Sequence, residues 1–195
     1  DTICSDEWLD FLIDNGALYG WLFLFMPVGS DPDLELMPTP AQRDRMRKFQ
    51  QHIRNNKPLM LVDFWNDGVL TGGCIAGGRL YFHINHRGEV EPCIFCHFAT
   101  DNIHDKPLVE ALNSSFFQGI RAEQPFCYNT LRPCPMIDHP RQMWEIIRAH
   151  GARPTHEGAD RMFTRMEEPL TEYADGVRRV MDTAWETEGY QEWAP

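Results

Sequence analysis

The segment Cys74-Ile-Ala-Gly-Gly-Arg-Leu-Tyr-Phe-His-Ile-Asn-His-Arg-Gly88-Glu-Val-Glu-Pro-Cys93-Ile-Phe-Cys96 sets three of the chain's six cysteines around one predicted turn. Residues 80–84 and 89–92 read as two short strands. Between them, Asn85-His-Arg-Gly88 reads as the turn, with glycine supplying the positive φ that a tight or bulged turn needs. Folding back at this turn brings Cys74 towards Cys93. Thiolates distant in sequence then become neighbours, which suits a soft cation or an iron–sulfur cluster. Two more cysteines, Cys127 and Cys134, follow in proline-flanked loops.

Other fates of these thiols have to be weighed. Disulfides need an oxidising compartment and usually staple small, loop-rich domains, whereas this chain has apolar material for ordinary cores. It shows no charged-then-apolar leader and no apolar run long enough to span a membrane, so a cytoplasmic location is expected. A free, buried thiol is the natural reading for Cys4, alone before a helix. A zinc ribbon usually has two Cys-x2-Cys knuckles. Here there is one, at Cys93 and Cys96, while Cys127 and Cys134 stand six residues apart. Iron–sulfur clusters tolerate more irregular spacing, though His97 beside Cys96 keeps zinc open.

Composition narrows the partners. With 29 acidic and 18 basic residues the net charge is -11, and no basic cluster offsets it, so a nucleic-acid ligand is not expected. Lysine occurs only at Lys48, Lys57 and Lys106. The acidic excess is heaviest in the tail, where a solvated helix face accounts for it.

Upstream of Cys74 the chain reads as an α/β repeat. Ser5 is a helix N-cap, Asp6 and Glu7 suit the first turn, and Trp8, Leu9, Leu12 and Ile13 form an apolar stripe ending before Gly16. Residues 21–26 are apolar throughout, which predicts a parallel strand covered on both faces. Thr39 and Gln42 form a capping-box pair around Pro40 and open a helix to about Asn56. A second buried strand is predicted over 59–64. Loops beyond the C-terminal strand ends are where α/β folds place chemistry, which makes Asp63, Asn66 and Asp67 candidates for substrate or cofactor contacts. Asn66-Asp67-Gly68 is also ordinary turn chemistry. Two parallel strands do not make a stable sheet alone, and the sequence starts at Asp1 rather than Met, so an upstream stretch holding earlier strands is expected.

Downstream, Asp138 is a candidate cap for a helix over about 140–150, and a last helix is expected over about 168–185. Trp144, Trp185 and Trp193 read as packing residues, and Met162 and Met166 as core filler. His83, His86, His97 and His104 crowd the cysteine region but read as hydrogen-bonding or exposed residues before ligands. Arg79 and Arg132 are donors either to cluster sulfides or a substrate carboxylate, or to surface carboxylates.

The order Cys74, thirteen residues, Gly88, four residues, Cys93 resembles the opening of the SPASM/twitch auxiliary-cluster domain that follows the barrel in many radical S-adenosylmethionine (radical SAM) enzymes. Asp101-Asn102-Ile103, a small helix near 108–113 and the later cysteines continue the likeness. The upstream part is similar to the last strands of the superfamily's partial (β/α)6 barrel. The segment from Gly20 to Asp138 also resembles uncharacterised radical SAM proteins, in 63–68, 83–85 and 131–135. The resemblance implies an α/β plus α+β chain: a C-terminal barrel remnant over 1–73, a SPASM/twitch-like hairpin-and-helix domain over 74–138, and a helical tail over 139–195.

The resemblance further implies one auxiliary 4Fe–4S cluster, with Cys74, Cys93 and Cys134 as ligands. Either Cys96 or Cys127 is the fourth, an open iron site being the alternative. A second auxiliary cluster lacks ligands. The superfamily's Cys-x3-Cys-x2-Cys loop, which holds the SAM-binding cluster, occurs nowhere in this sequence. S-adenosylmethionine and its own 4Fe–4S cluster are therefore expected only with the upstream part, and this chain alone is expected to be inactive. Implied partners are a peptide or small-molecule substrate and an external electron donor. A zinc-stabilised interaction module without catalysis is the rival reading.

Overall fold

The structure is a computed structural model that describes residues 2–29 and 31–193. The side chain of Trp193 lies outside the described residues. Helix α1 (Asp6–Asp14) starts as expected, with the Ser5 side chain accepting from the Trp8 amide. Strand β1 (Tyr19–Leu22) and strand β2 (Met60–Asp63) pair in parallel, Tyr19 opposite Met60 and Leu22 opposite Asp63. They are joined through helix α2 (Pro40–Asn56), whose Thr39–Gln42 capping box is formed from both sides.

The first strand differs from its expectation. Its ladder ends at Leu22, and Phe23, Leu24, Phe25 and Met26 continue extended without strand pairing. Only one face is covered. Leu9 of α1, Phe49 and Ile53 of α2, and Leu22, Leu59 and Leu61 form a single apolar cluster there. Both helices pack on that same face. The other face leaves Tyr19, Trp21 and Met60 exposed at 72%, 52% and 65%, so burial alternates along β1.

The cysteine region is mostly turn and bridge. After the short helix α3 (Gly68–Thr71), strands β3 (His83–Ile84) and β4 (Val90–Glu91) form the predicted hairpin, but with two residues each. The turn is as expected: Gly88 has φ +79°, its amide donates to Asn85 O at 3.0 Å, and a Cβ there would sit 2.7 Å from Asn102 Oδ1. The Asn85 carboxamide oxygen accepts from the amides of Arg87 and Glu89, so side-chain bonds take over where the ladder is short. Strand β5 (Phe98–Ala99) pairs antiparallel with β6 (Arg153–Pro154), which ties this region to the tail. Helices α4 (Leu108–Leu112) and α5 (Ser115–Glu123) follow. The second carries Phe116, Phe117 and Ile120 into the main core.

The tail is helical: α6 (Pro140–Ala149), α7 (Arg161–Thr164) and α8 (Glu167–Thr187). Trp185 is buried, and Trp144 stacks on Phe163 with centroids 5.3 Å apart. The N-cap of α6 is His139, and Asp138 makes no cap bond. Its carboxylate is instead drawn inward by Arg43 of α2, 2.6 Å away. A guanidinium partner outweighs a helix amide in a site that neither group shares with water.

Glu89 gives the hairpin a pH signature. Burial raises its pKa, but hydrogen bonds from Asn85, Arg153 and Arg87 outweigh that and bring it down to about 2. A depressed carboxylate stabilises the fold above its unfolded value near 4.5, and the contribution is lost as pH falls through about 2. Thermal melts of Glu89→Gln are therefore expected to lie below wild type at pH 7 and to converge with it towards pH 2; a gap that stays constant with pH would contradict the assignment.

Candidate metal centre

Three loops carry the cysteines to one place. Cys74 follows α3 in a turn whose Gly77 amide donates to Pro92 O at 3.0 Å, which lays this loop beside Cys93. Gly77 has φ +68°, and a Cβ on it would meet Ile120 Cγ2 at 2.5 Å, so the close approach needs glycine there. Cys93 to Cys96 forms a tight knuckle closed by the Cys96 amide on Cys93 O at 3.1 Å. Cys134 arrives on a loop fastened to α8, where Leu131 is buried with Val177 and Met181 and the Asn129 amide group donates to Asp182 Oδ1 at 2.7 Å.

Cys74, Cys93, Cys96 and Cys134 all line one cavity of about 440 Å³. Its remaining wall is largely aromatic and aliphatic, with Trp21, Val62, Phe64, Trp65 and Phe95 among the lining residues. Phe95, inside the Cys93–Cys96 knuckle, touches the rings of Phe23, Phe64 and Trp65 at centroid separations of 6.3, 6.4 and 5.6 Å. The knuckle is thus set on aromatics from the C-terminal ends of β1 and β2.

Two of the four sulfurs receive a backbone amide from two residues further on: Ala76 N donates to Cys74 Sγ and Phe95 N to Cys93 Sγ, each at 3.4 Å. Such bonds favour the charged form of a sulfur. Desolvation wins nonetheless. Burial pushes the Cys74, Cys93 and Cys134 thiols up to about 12, and the Cys96 thiol well above its ordinary value. Neighbouring thiols add to the effect: Cys93 acts on Cys74, Cys134 on Cys93, and both on Cys96. Four thiolates in this cavity require a cation to compensate them.

The remaining candidates lie differently. Cys127 is outside the cavity lining, and its thiol donates to Asn129 O at 3.1 Å. Cys4 is far along the sequence and lies against Phe23 and Arg45 instead. Asp63 lines the cavity but is fully buried and turned onto its own loop. It accepts from the amides of Trp65 and Asn66 at 2.9 and 3.0 Å and from the Asn66 side chain at 2.6 Å. Burial raises its pKa, against those hydrogen bonds. Asp67 is held by Arg54 and Gln50. Asp63 thus holds the turn and Asp67 ties it to α2, while Asn66 Oδ1 is buried without a hydrogen-bond partner among the described residues.

Two of the four histidines, His83 and His97, and both arginines also have partners. His83 meets Glu91 at 2.8 Å, and His97 meets His156 at 2.6 Å. Arg79 donates to the carbonyls of Cys74, Thr71 and Gly73, and Arg132 pairs with Asp182. Among the described residues no three His, Cys, Asp or Glu side chains form a ready site for a single ion. The sequence reading missed Trp65 as a cavity residue. It is 1% exposed, and its indole Nε1 finds no hydrogen-bond partner among the described residues. Its place directly after β2 was the available signal.

Residues 74–135, about a third of the chain, match the family model of the SPASM iron-sulfur cluster-binding domain. No curated protein and no solved structure matches the chain. No helix among the described residues is long and apolar enough to cross a membrane.

The geometry separates the two candidates for a fourth ligand. Cys96→Ala is expected to lose most of the bound iron after anaerobic purification, while Cys127→Ala retains it; the reverse order, read by iron-to-protein ratio, would overturn the placement.

Proposed function

We propose that this chain is the C-terminal portion of a radical S-adenosylmethionine oxidoreductase and holds one auxiliary 4Fe–4S cluster on Cys74, Cys93, Cys96 and Cys134. The observation that carries the reading is the set of four thiols, two buried and two partly buried, around a single cavity inside a segment that matches a cluster-binding domain. The donor chemistry fits. Soft thiolates are the ordinary ligands of such clusters, and a cluster is wider than one ion, which suits sulfurs that border a cavity. Trp65 adds a buried N–H without an acceptor, worth about 1–3 kcal/mol if left so, and an inorganic sulfide would supply one.

When bound, the fully ligated cluster would supply one-electron chemistry. The chain's own contribution is to exclude water with the aromatic wall, to direct two amides at the sulfurs of Cys74 and Cys93, and to present the site beyond the ends of β1 and β2. In this reading those two strands are the end of a partial barrel, and the substrate is a peptide or small molecule that meets the cavity from the barrel side. An external donor supplies electrons, and S-adenosylmethionine cleavage belongs to an upstream part carrying the three-cysteine loop.

Anaerobic purification followed by metal and sulfide analysis tests this. The expected result is about four iron and four acid-labile sulfides per chain. One equivalent of zinc without sulfide would overturn the reading in favour of a zinc-stabilised module.

A further inference from the structure

The buried ion pair of Arg43 and Asp138 is not among the candidate ligands, yet it stands directly behind one of them. Both side chains are completely excluded from solvent. Arg43 Nη1 and Nη2 reach Asp138 Oδ1 and Oδ2 at 2.6 and 3.4 Å. The same carboxylate accepts from the Cys134 amide at 3.0 Å, and the Asp138 amide donates back to Cys134 O at 2.9 Å. Tyr173 of α8 lies beside Arg43 and donates to Pro38 O at 3.1 Å. One charged group from α2 thus holds the loop that carries Cys134, with α8 as a third support.

Stability alone is a weak reason for such a pair. Desolvating two charges costs as much as their attraction returns, and an apolar pair of similar size often serves as well. Charges beside a buried redox centre have another effect. They are not screened by salt, and they bias how readily the centre accepts an electron.

We infer that Arg43 and Asp138 are positioning residues for the cluster, fixing Cys134 through its backbone amide and setting the cluster's reduction potential through their unscreened charges. This rests on reading the site as an iron–sulfur centre. The cluster takes one electron from the reductant in a dithionite titration, so removing a nearby negative charge favours reduction and removing a positive charge opposes it.

The test is a dye-mediated dithionite titration of the full chain, purified anaerobically, with iron content measured in parallel. Asp138→Asn preserves an acceptor for the Cys134 amide and is expected to retain iron and shift the potential upward. Arg43→Gln is expected to shift it downward, and the double variant to return close to wild type. Arg47→Gln is the control: Arg47 is equally buried in α2, but its partners are Asp44, Glu188 and Tyr190, and its potential should not move.

Opposite shifts in the iron-loaded variants support the inference; loss of iron from folded Asp138→Asn contradicts it. An unchanged potential in iron-loaded Asp138→Asn, or equal iron loss in Asp138→Asn and Arg47→Gln, overturns it. Should Arg43→Gln fail to fold, the comparison of Asp138→Asn with Arg47→Gln decides alone. A wild-type chain without iron and sulfide would overturn the underlying site reading as well, which distinguishes the two failures.

Discussion

Four thiols gathered around one apolar cavity, two of them buried and two partly so, are the constraint on which this structure turns. A thiol tolerates such burial and a thiolate does not, as the upward shifts of Cys74, Cys93, Cys96 and Cys134 express. In the protonated state the four are merely small apolar groups in a core. Deprotonated, they need iron or another cation, and the free energy of binding it becomes free energy of folding for the loops that carry them.

Those loops contain little regular structure to hold them otherwise. The hairpin strands have two residues each, and the sheet formed by β1 and β2 has two strands. What fixes the site is irregular: the Asn85 and Glu89 side chains at the turn, the Gly77–Pro92 backbone contact, the aromatic seat of Phe95, and Arg43 reaching from α2 to Asp138. Breaking a buried pair of that kind typically costs about 3–5 kcal/mol, a large share of a domain's net stability. The helical tail is therefore part of the site: α8 anchors the Cys134 loop through Asp182.

Local signals were legible wherever the physics is local. The Thr39–Gln42 box, the Ser5 cap and the positive φ of Gly88 are set by a few neighbouring residues, and each is found where the sequence placed it. The convergence of Cys74 with Cys93 could be read from the turn between them. Cys134 was reached only through the family resemblance, because its approach depends on contacts more than forty residues away in sequence, with Asp182 and Arg43. The same long-range pairing hid Arg43 and Arg47, which look like the solvated face of a charged helix yet are buried. It also took Asp138 away from the helix cap it was expected to form. The apolar run at 21–26 misled in another way: hydrophobicity at every position predicts burial on both faces, but α1 and α2 cover only one.

X-ray absorption at the iron edge of the anaerobically purified chain tests the central claim most directly. A polynuclear cluster on cysteine sulfur predicts a sulfur shell together with iron–iron scattering, both diminished in Cys134→Ala. Metal bound as isolated ions with no metal–metal scattering, or a spectrum unaffected by that substitution, would contradict it.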